Sequence, residues 1–347
     1  MTPRDPINIQ ENISLGPLTT LKVGGPARFF VRTEDEAQVI EAFEYARQKD
    51  LEVFVLGGGS NILVSDDGFD GLVIQIGLRG ITIDGSSVTA AAGEDWDAFV
   101  ALCVGKSLAG LECLSGIPGM VGGTPVQNVG AYGQEVSESI TSVRCFDRTC
   151  RDVVELINSE CGFSYRRSIF NSTDSGRYVV LAVTYDLRQN GAPKIAYKDL
   201  KEHFSDREPT LAETRDAVLA IRRAKSMVID VGDPNSRSAG SFFKNPIVEK
   251  RELDEIAASF GENVPHFPAN DGMVKIPAAW LIEHSGFSKG YRLGNAGIST
   301  KHSLALVNLG GASASEIISL KEKIQAGVQQ KFGILLRPEP VFIGFGR

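Results

Sequence analysis

Two glycine-rich stretches carry the residue types that can hold an anion on backbone alone. LEVFVL, a strand-like run, leads into Gly57, Gly58, Gly59, Ser60 and Asn61, and residues 115–135, SGIPGMVGGTPVQNVGAYGQE, place six glycines in 21 positions. Consecutive N–H groups in tight turns form an anion nest that needs neither a helix terminus nor a lysine, provided the side chains stay small. Two loops without any ligand have the same composition. The familiar nucleotide loops do not fit. Gly105, Lys106 and Ser107 resemble the end of a phosphate loop, but its first glycine would fall at Val100 and Lys106 lies inside a predicted helix. A dinucleotide fingerprint starting at Gly57 would need its third glycine at Ile62, and a strand follows where a helix is required.

Three further stretches offer side chains with chemistry. Ser241 stands in SAGSFFKNP, Arg166 and Arg167 in YRRS, and Glu339 between two prolines in RPEP. A hydroxyl is a weak acid that can protonate only a reactive acceptor with a cation close by. A guanidinium fork grips a carboxylate through paired donors and cannot lose its charge. On an extended segment adjacent side chains point oppositely, so one of the two arginines reaches a pocket, and the residues alone do not choose which. Glu339, with VFI behind it, is suited to partial desolvation, which raises a carboxyl's pKa and lets it donate. The local sequence equally permits a loop serine satisfying nearby backbone and a solvated glutamate in a turn.

The elements that must position these groups read as a mixed α+β chain without a solenoid repeat. Thr33 and Glu36 predict a capping box opening a helix to Asp50, with Val39, Ile40, Phe43 and Ala46 on one face. A second helix spans about 95–108, with Trp96, Phe99, Leu102 and Cys103 inward and Gly110 just past its end. A third, 211–225, turns Val218 and Ile221 inward and carries Arg222, Arg223 and Lys225 at its C-terminal end, where cations complement the dipole. Pro277 starts a helix through Trp280 and Leu281 that stops near Gly286. Ser313 and Glu316 box a long helix with the stripe Ile317, Leu320, Ile324, Val328 and Phe332, closed by Gly333. SVRCFDR, RYVVLAVTYDL and the terminal ILLRPEPVFIGFGR read as strands.

With 347 residues, 42% hydrophobic and 23% charged, the chain has a globular balance and length for two or three domains. Its 36 basic and 43 acidic residues give a net charge of -7, and without a dense basic run a nucleic-acid partner is disfavoured, whereas a small anionic ligand is compatible. The opening MTPRDPINIQENISLG has no apolar leader core, and no segment approaches the roughly 18 apolar residues of a membrane span. A cytoplasmic location is expected, with no obligate protein partner evident. Cys103, Cys113, Cys145, Cys150 and Cys161 contain no C-x-x-C pair and read as reduced, mostly buried thiols; no metal site is expected.

LGGGSNILVSD, IPGMVGGTPVQNVGAYGQE, CGFSYRRSIF, SAGSFFKNP and RPEPVFIG, in this order, closely resemble the UDP-N-acetylenolpyruvoylglucosamine reductase family over almost the whole chain. YRRS together with AYKDL resembles the longer, type I form. The resemblance implies a vanillyl-alcohol-oxidase-type FAD-binding fold of two α+β subdomains, 1–75 and 76–225, with 337–347 packing back on the second. A third α+β domain, 226–336, would bind substrate. It implies non-covalent FAD, with the diphosphate on Gly57, Gly58, Gly59, Ser60 and Asn61 and the flavin near Gly119, Gly122, Gly123, Thr124, Gln127 and Asn128. Arg222 matches a further cofactor contact.

By the same resemblance NADPH is the hydride donor, and a UDP-sugar carrying an enolpyruvyl group is the acceptor. Arg166 would face the enolpyruvyl carboxylate, Glu339 would stabilise the enolate-like species, and Ser241 would protonate the carbon beside the carboxylate. Tyr197, Lys225, Asn245 and His302 match substrate contacts. Another FAD-dependent oxidase or dehydrogenase of this fold would share the glycine turns, but has no reason to carry SFFKNP with RPEP. A UDP-sugar-binding module without chemistry would have no use for Arg166, Ser241 and Glu339 together.

Overall fold

Phe69–Ile76 runs parallel between Pro26–Thr33 and Val53–Leu56, and Gln10–Ser14 completes the four-stranded sheet beside Pro26–Thr33. Leu72, Val73 and Ile74 are all buried, as the near-continuous apolar run of a parallel strand covered on both faces requires. Glu36–Gln48 is the connecting helix and sends Val39, Ala42, Phe43 and Ala46 into the core. Its cap differs from the expected Thr33–Glu36 box. Thr33 is the last residue of its strand, paired with Ile76, so the cap falls at Asp35, whose carboxylate accepts from Gln38 N at 2.8 Å. Gln38 Oε1 accepts in turn from Glu34 N.

A second sheet is antiparallel and five-stranded, in the order Asp152–Ile157, Ile140–Asp147, Tyr178–Asp186, Ser87–Ala91, Ile81–Asp84. Helix Trp96–Gly105 is capped by Asp95. Trp96, Phe99 and Tyr185 pack as a trio with ring centroids 5.2 to 6.2 Å apart, and burial of each such side chain contributes about 1.5–3 kcal/mol. The helix ends at Gly105 with Lys106 as its C-cap, short of the expected end near Leu108, because Ser107 turns left-handed at φ 56. Helix Leu211–Ala224 opens on a Thr210–Glu213 capping box. It packs against helix Lys198–Phe204 through Leu200, Phe204, Ala217 and Val218, around Cys113.

The structure is a computed structural model that describes residues 7–205, 207–260 and 263–346; the first six residues of the opening segment read above as lacking an apolar leader core therefore lie outside the described residues. By contact the chain forms two compact units. One holds residues up to 13, 27–59 and 69–228; the other holds 14–26, 60–68 and 229 onward. Residues 14–26 and 60–68 thus fall in the second unit, although the sequence reading assigned both to a subdomain ending at residue 75. In that unit helix Ala314–Phe332 has the expected Ser313–Glu316 box, the buried stripe from Ile317 to Phe332, and Gly333 at φ 72. Asp66 adds a second cap, accepting from Ala314 N at 2.6 Å and Ser315 N at 2.9 Å.

The strand near the C-terminus is short, Val341–Ile343, and pairs in parallel with Ile62–Val64. The pairing lies within the second unit, on a segment other than the 76–225 expected for the return of 337–347. Leu63 and Val64 are fully buried, and the exchange of backbone hydrogen bonds with Val341–Ile343 satisfies the polar groups that such burial would otherwise strand. All five cysteines are free thiols, four buried and Cys150 exposed. Among the described residues no helix is long and apolar enough to cross a membrane.

Candidate active site

In the first unit the two glycine-rich stretches meet. A β-carbon on Gly58 would lie 2.7 Å from Gly119 Cα, and one on Gly122 would lie 2.6 Å from Ala92 Cβ, so neither position admits a side chain. Gly59 at φ 63 and Gly119 at φ 135 use backbone conformations that favour glycine. Backbone bonds pin the second stretch: Trp96 N donates to Gly119 O at 3.1 Å, Val121 N to Glu94 O at 2.9 Å and Gly122 N to Ala92 O at 2.9 Å. Gly57 and Gly123 have open space where a side chain would be. The outcome is a seam in which bare backbone packs against bare backbone.

Thr124, Gln127 and Asn128 sit at the end of this seam. The Thr124 hydroxyl donates to Val121 O at 2.8 Å and lies 3.2 Å from the Tyr185 hydroxyl. Asn128 is 1% exposed. Its amide donates to Glu135 Oε2 and Ser164 O, and its Oδ1 accepts from Ser137 N. The side chains of Thr124 and Asn128 therefore hold the loop's shape. Gln127 is half-buried.

Arg222 lies in the last turn of helix Leu211–Ala224 and is 7% exposed. Its Nη2 donates to Met227 O at 2.7 Å, while its Nε is buried with no hydrogen-bond partner among the described residues. Burial lowers the guanidinium's proton affinity, opposed by Tyr132 and Asp97. A buried cation with an open donor is costly unless an anion completes it, so this corner fits a cofactor phosphate. Asp97 anchors the loop start nearby, accepting from Gly116 N at 2.6 Å and from the Arg215 fork at 2.6 and 2.8 Å. Burial pushes the Asp97 carboxyl up, but these bonds outweigh it and hold it below its ordinary value.

Lys225 pairs with Asp199 at 3.0 Å; burial pulls its ammonium down and Asp199 outweighs this, leaving it above its ordinary value. Tyr197 caps helix Lys198–Phe204 and meets Tyr132 edge-on, with ring centroids 5.5 Å apart. The sequence reading passed over Tyr132, although its place between Gly130 and Gly133 marked it as a large side chain held on a tight turn. Burial pushes its phenol up, with Arg222 and Lys225 opposing.

Arg166 is not on an extended segment, as the alternation argument assumed. Ser164 N donates to Arg167 O and Arg167 N to Ser164 O, at 2.9 and 3.1 Å, which closes a tight turn with Arg166 at φ 53. The turn leaves Arg166 half-buried and Arg167 exposed. Arg166 Nη2 donates to Gly130 O at 2.7 Å, which ties YRRS to the second glycine-rich stretch.

In the second unit SAGSFFKNP and RPEP are neighbouring backbone segments. Phe242 N donates to Leu304 O at 2.8 Å, Glu339 N to Phe242 O at 2.9 Å and Lys244 N to Arg337 O at 2.9 Å. Phe242 and Phe243, 0% and 1% exposed, root the loop in the core. Ser241 and Glu339 are thereby held on adjacent segments, both half-buried. Ser241 Oγ lies 3.3 Å from His302 Nε2. Asn61 Nδ2 donates to Glu339 O at 3.4 Å, and Thr20 Oγ1 donates to Ser238 O at 2.7 Å while lying 3.5 Å from Ser60 O. Asn245 Oδ1 accepts from Ala278 N at 2.9 Å, which turns its side chain toward the start of helix Ala278–His284.

These features are those of an α+β protein of the FAD-binding class, with a glycine-lined seam and a buried arginine. An FAD-binding domain model matches residues 27–151, and the model for the C-terminal domain of UDP-N-acetylenolpyruvoylglucosamine reductase matches residues 233–343. The reductase of that name from Thermobifida fusca is 45% identical over 96% of this chain and 97% of its own. That from Saccharopolyspora erythraea is 46% identical over 95% and 94%. The crystal structure of the Thermus caldophilus enzyme superposes with a TM-score of 0.68 at 26% identity, covering 97% of this chain and 98% of the other. The chain belongs to the UDP-N-acetylenolpyruvoylglucosamine reductase family.

Proposed function

We propose that this chain reduces the enolpyruvyl group of UDP-N-acetylenolpyruvoylglucosamine to give UDP-N-acetylmuramate, as a cytoplasmic enzyme of peptidoglycan precursor synthesis. FAD, held by the residues below, would supply hydride transfer from NADPH to the terminal methylene carbon of the enolpyruvyl group. The residues suited to hold its diphosphate are Gly57, Gly58, Gly59, Ser60 and Asn61, with Gly119, Gly122, Gly123, Thr124, Gln127 and Asn128 beside the flavin and Arg222 on a phosphate.

The observation that carries the reading is the pairing of Glu339 N with Phe242 O, which fixes Ser241 and Glu339 side by side. Hydride arrival at the methylene carbon leaves negative charge on the carbon next to the carboxylate and on the carboxylate itself. Arg166 binds that carboxylate through its fork. Glu339, carrying a proton, donates to the enolate oxygen, and Ser241 Oγ–H gives a proton to the carbon, which balances one hydride and one proton across the double bond. His302, against the Ser241 hydroxyl, orients it. Tyr197 and Lys225 hold the UDP-sugar, Lys225 as a point charge on its diphosphate, and Asn245 offers its amide N–H groups.

The test is anaerobic. NADPH bleaches the yellow protein, and the enolpyruvyl sugar nucleotide restores the colour. Rapid return of colour in air with no sugar nucleotide favours an oxidase of the same fold; a protein that stays colourless with added FAD favours a binding module.

A further inference from the structure

Glu112 is fully buried, at 0% exposure, and has no place in the chemistry above. It stands just before the second glycine-rich stretch, in the short helical turn Glu112–Leu114. Three N–H donors converge on its carboxylate. Gly110 N donates to Oε2 at 2.8 Å; Lys194 N and Gln134 Nε2 both donate to Oε1, at 2.9 and 3.3 Å. No cation pairs with it among the described residues, since the Lys194 ammonium goes to Glu138 instead. A buried acidic group held by N–H donors alone is retained at a cost, so its position calls for a reason beyond packing.

The donors to Oε1 come from the two segments that carry the tyrosine pair. Gln134, 2% exposed, is two residues after Tyr132, and its own Oε1 accepts from Cys113 N at 2.9 Å. Lys194 is three residues before Tyr197, and its carbonyl accepts from Cys113 Sγ at 3.2 Å. The two segments also touch directly: a β-carbon on Gly133 would lie 3.3 Å from Ala196 Cβ. One carboxylate oxygen thus bridges the turn bearing Tyr132 and the loop that leads into Tyr197.

We infer that Glu112 is a positioning residue for substrate: through Gln134 and the Lys194 backbone it holds Tyr132 and Tyr197 in their edge-on arrangement and so sets affinity for the UDP-sugar. This rests on the reading of Tyr197 as a substrate contact. A carboxylate suits the task because it accepts from all three donors and brings no N–H of its own. An amide of the same size would turn its NH2 against at least one of them.

Glu112→Gln in the FAD-loaded full chain provides the test. Losing one buried hydrogen bond and setting donor against donor raises KM for the UDP-sugar about tenfold, with kcat within about twofold and flavin content per chain unchanged. Gln134→Met, which keeps Glu112 and both backbone donors, raises KM about threefold in the same way and carries the test if the first variant does not fold. An unchanged KM in these variants, or a loss of bound flavin and kcat in step with KM, overturns the inference. Tyr197→Ala separates the two readings. If it raises KM while Glu112→Gln does not, the inference alone fails; if it leaves KM unchanged, the substrate reading fails and takes the inference with it.

Discussion

The two units carry contrasting kinds of candidate site. In the first, Gly58 and Gly122 lie where no side chain fits, and Arg222 is a buried cation. In the second, the candidate groups are single atoms on side chains, the Ser241 hydroxyl beside His302 and the Glu339 carboxyl on the next segment. A backbone site is specified by what must be absent, and a side-chain site by what must be present. Adding one carbon damages the first; removing one oxygen damages the second.

That contrast orders the expected effects. Ser241→Ala removes the proposed proton donor and should lower kcat about 10³-fold, measured as NADPH oxidation in the presence of the UDP-sugar, with flavin content intact. Glu339→Gln keeps a hydrogen-bond donor but loses the acid, and lowers kcat about 10²-fold. Gly58→Ala acts on the other unit. Its β-carbon must displace the Gly119 backbone, so FAD affinity falls roughly 10- to 100-fold while kcat at saturating FAD changes little, seen by titrating apoprotein with FAD fluorescence. A Gly58→Ala protein with full FAD affinity and low kcat would erase the distinction.

The smallest effect concerns the anchor of the first unit's loop. Asp97→Asn weakens the Arg215 fork and the acceptor for Gly116 N and costs about 2 kcal/mol in urea unfolding. The pH dependence has a definite sign. The Asp97 carboxyl is held below its ordinary value when folded, so its contribution is fully present above the unfolded value of about 4 and is lost as pH falls through the lower folded one. The parent should therefore lose stability below about pH 4, and the variant should show a shallower loss in the same range.

Elements with strong local signals were legible in the sequence. The box at Ser313 and Glu316, the stripe from Ile317 to Phe332 and the left-handed stop at Gly333 all follow from residues a turn or less apart. Thr33 was misleading because its strand pairing with Ile76, a contact 43 positions along the chain, decides where the helix is capped. YRRS was misread as extended because a turn at Arg166 with φ 53 uses neither glycine nor asparagine. The glycine seam was readable as composition, but the closeness of Gly58 to Gly119 is tertiary. For Ser241 and Glu339 no local pattern existed to be read. Their adjacency comes from a backbone pairing between segments almost 100 residues apart, and only the family resemblance singled them out in advance.

The central claim is that Ser241 serves the second half of the reaction and not the first. Stopped-flow measurement of the two halves in Ser241→Ala tests it directly. NADPH should reduce the bound flavin at close to the parent rate, and reoxidation of that reduced flavin by the UDP-sugar should slow about 10³-fold. Equal slowing of both halves would contradict the account and make Ser241 a structural residue of its loop.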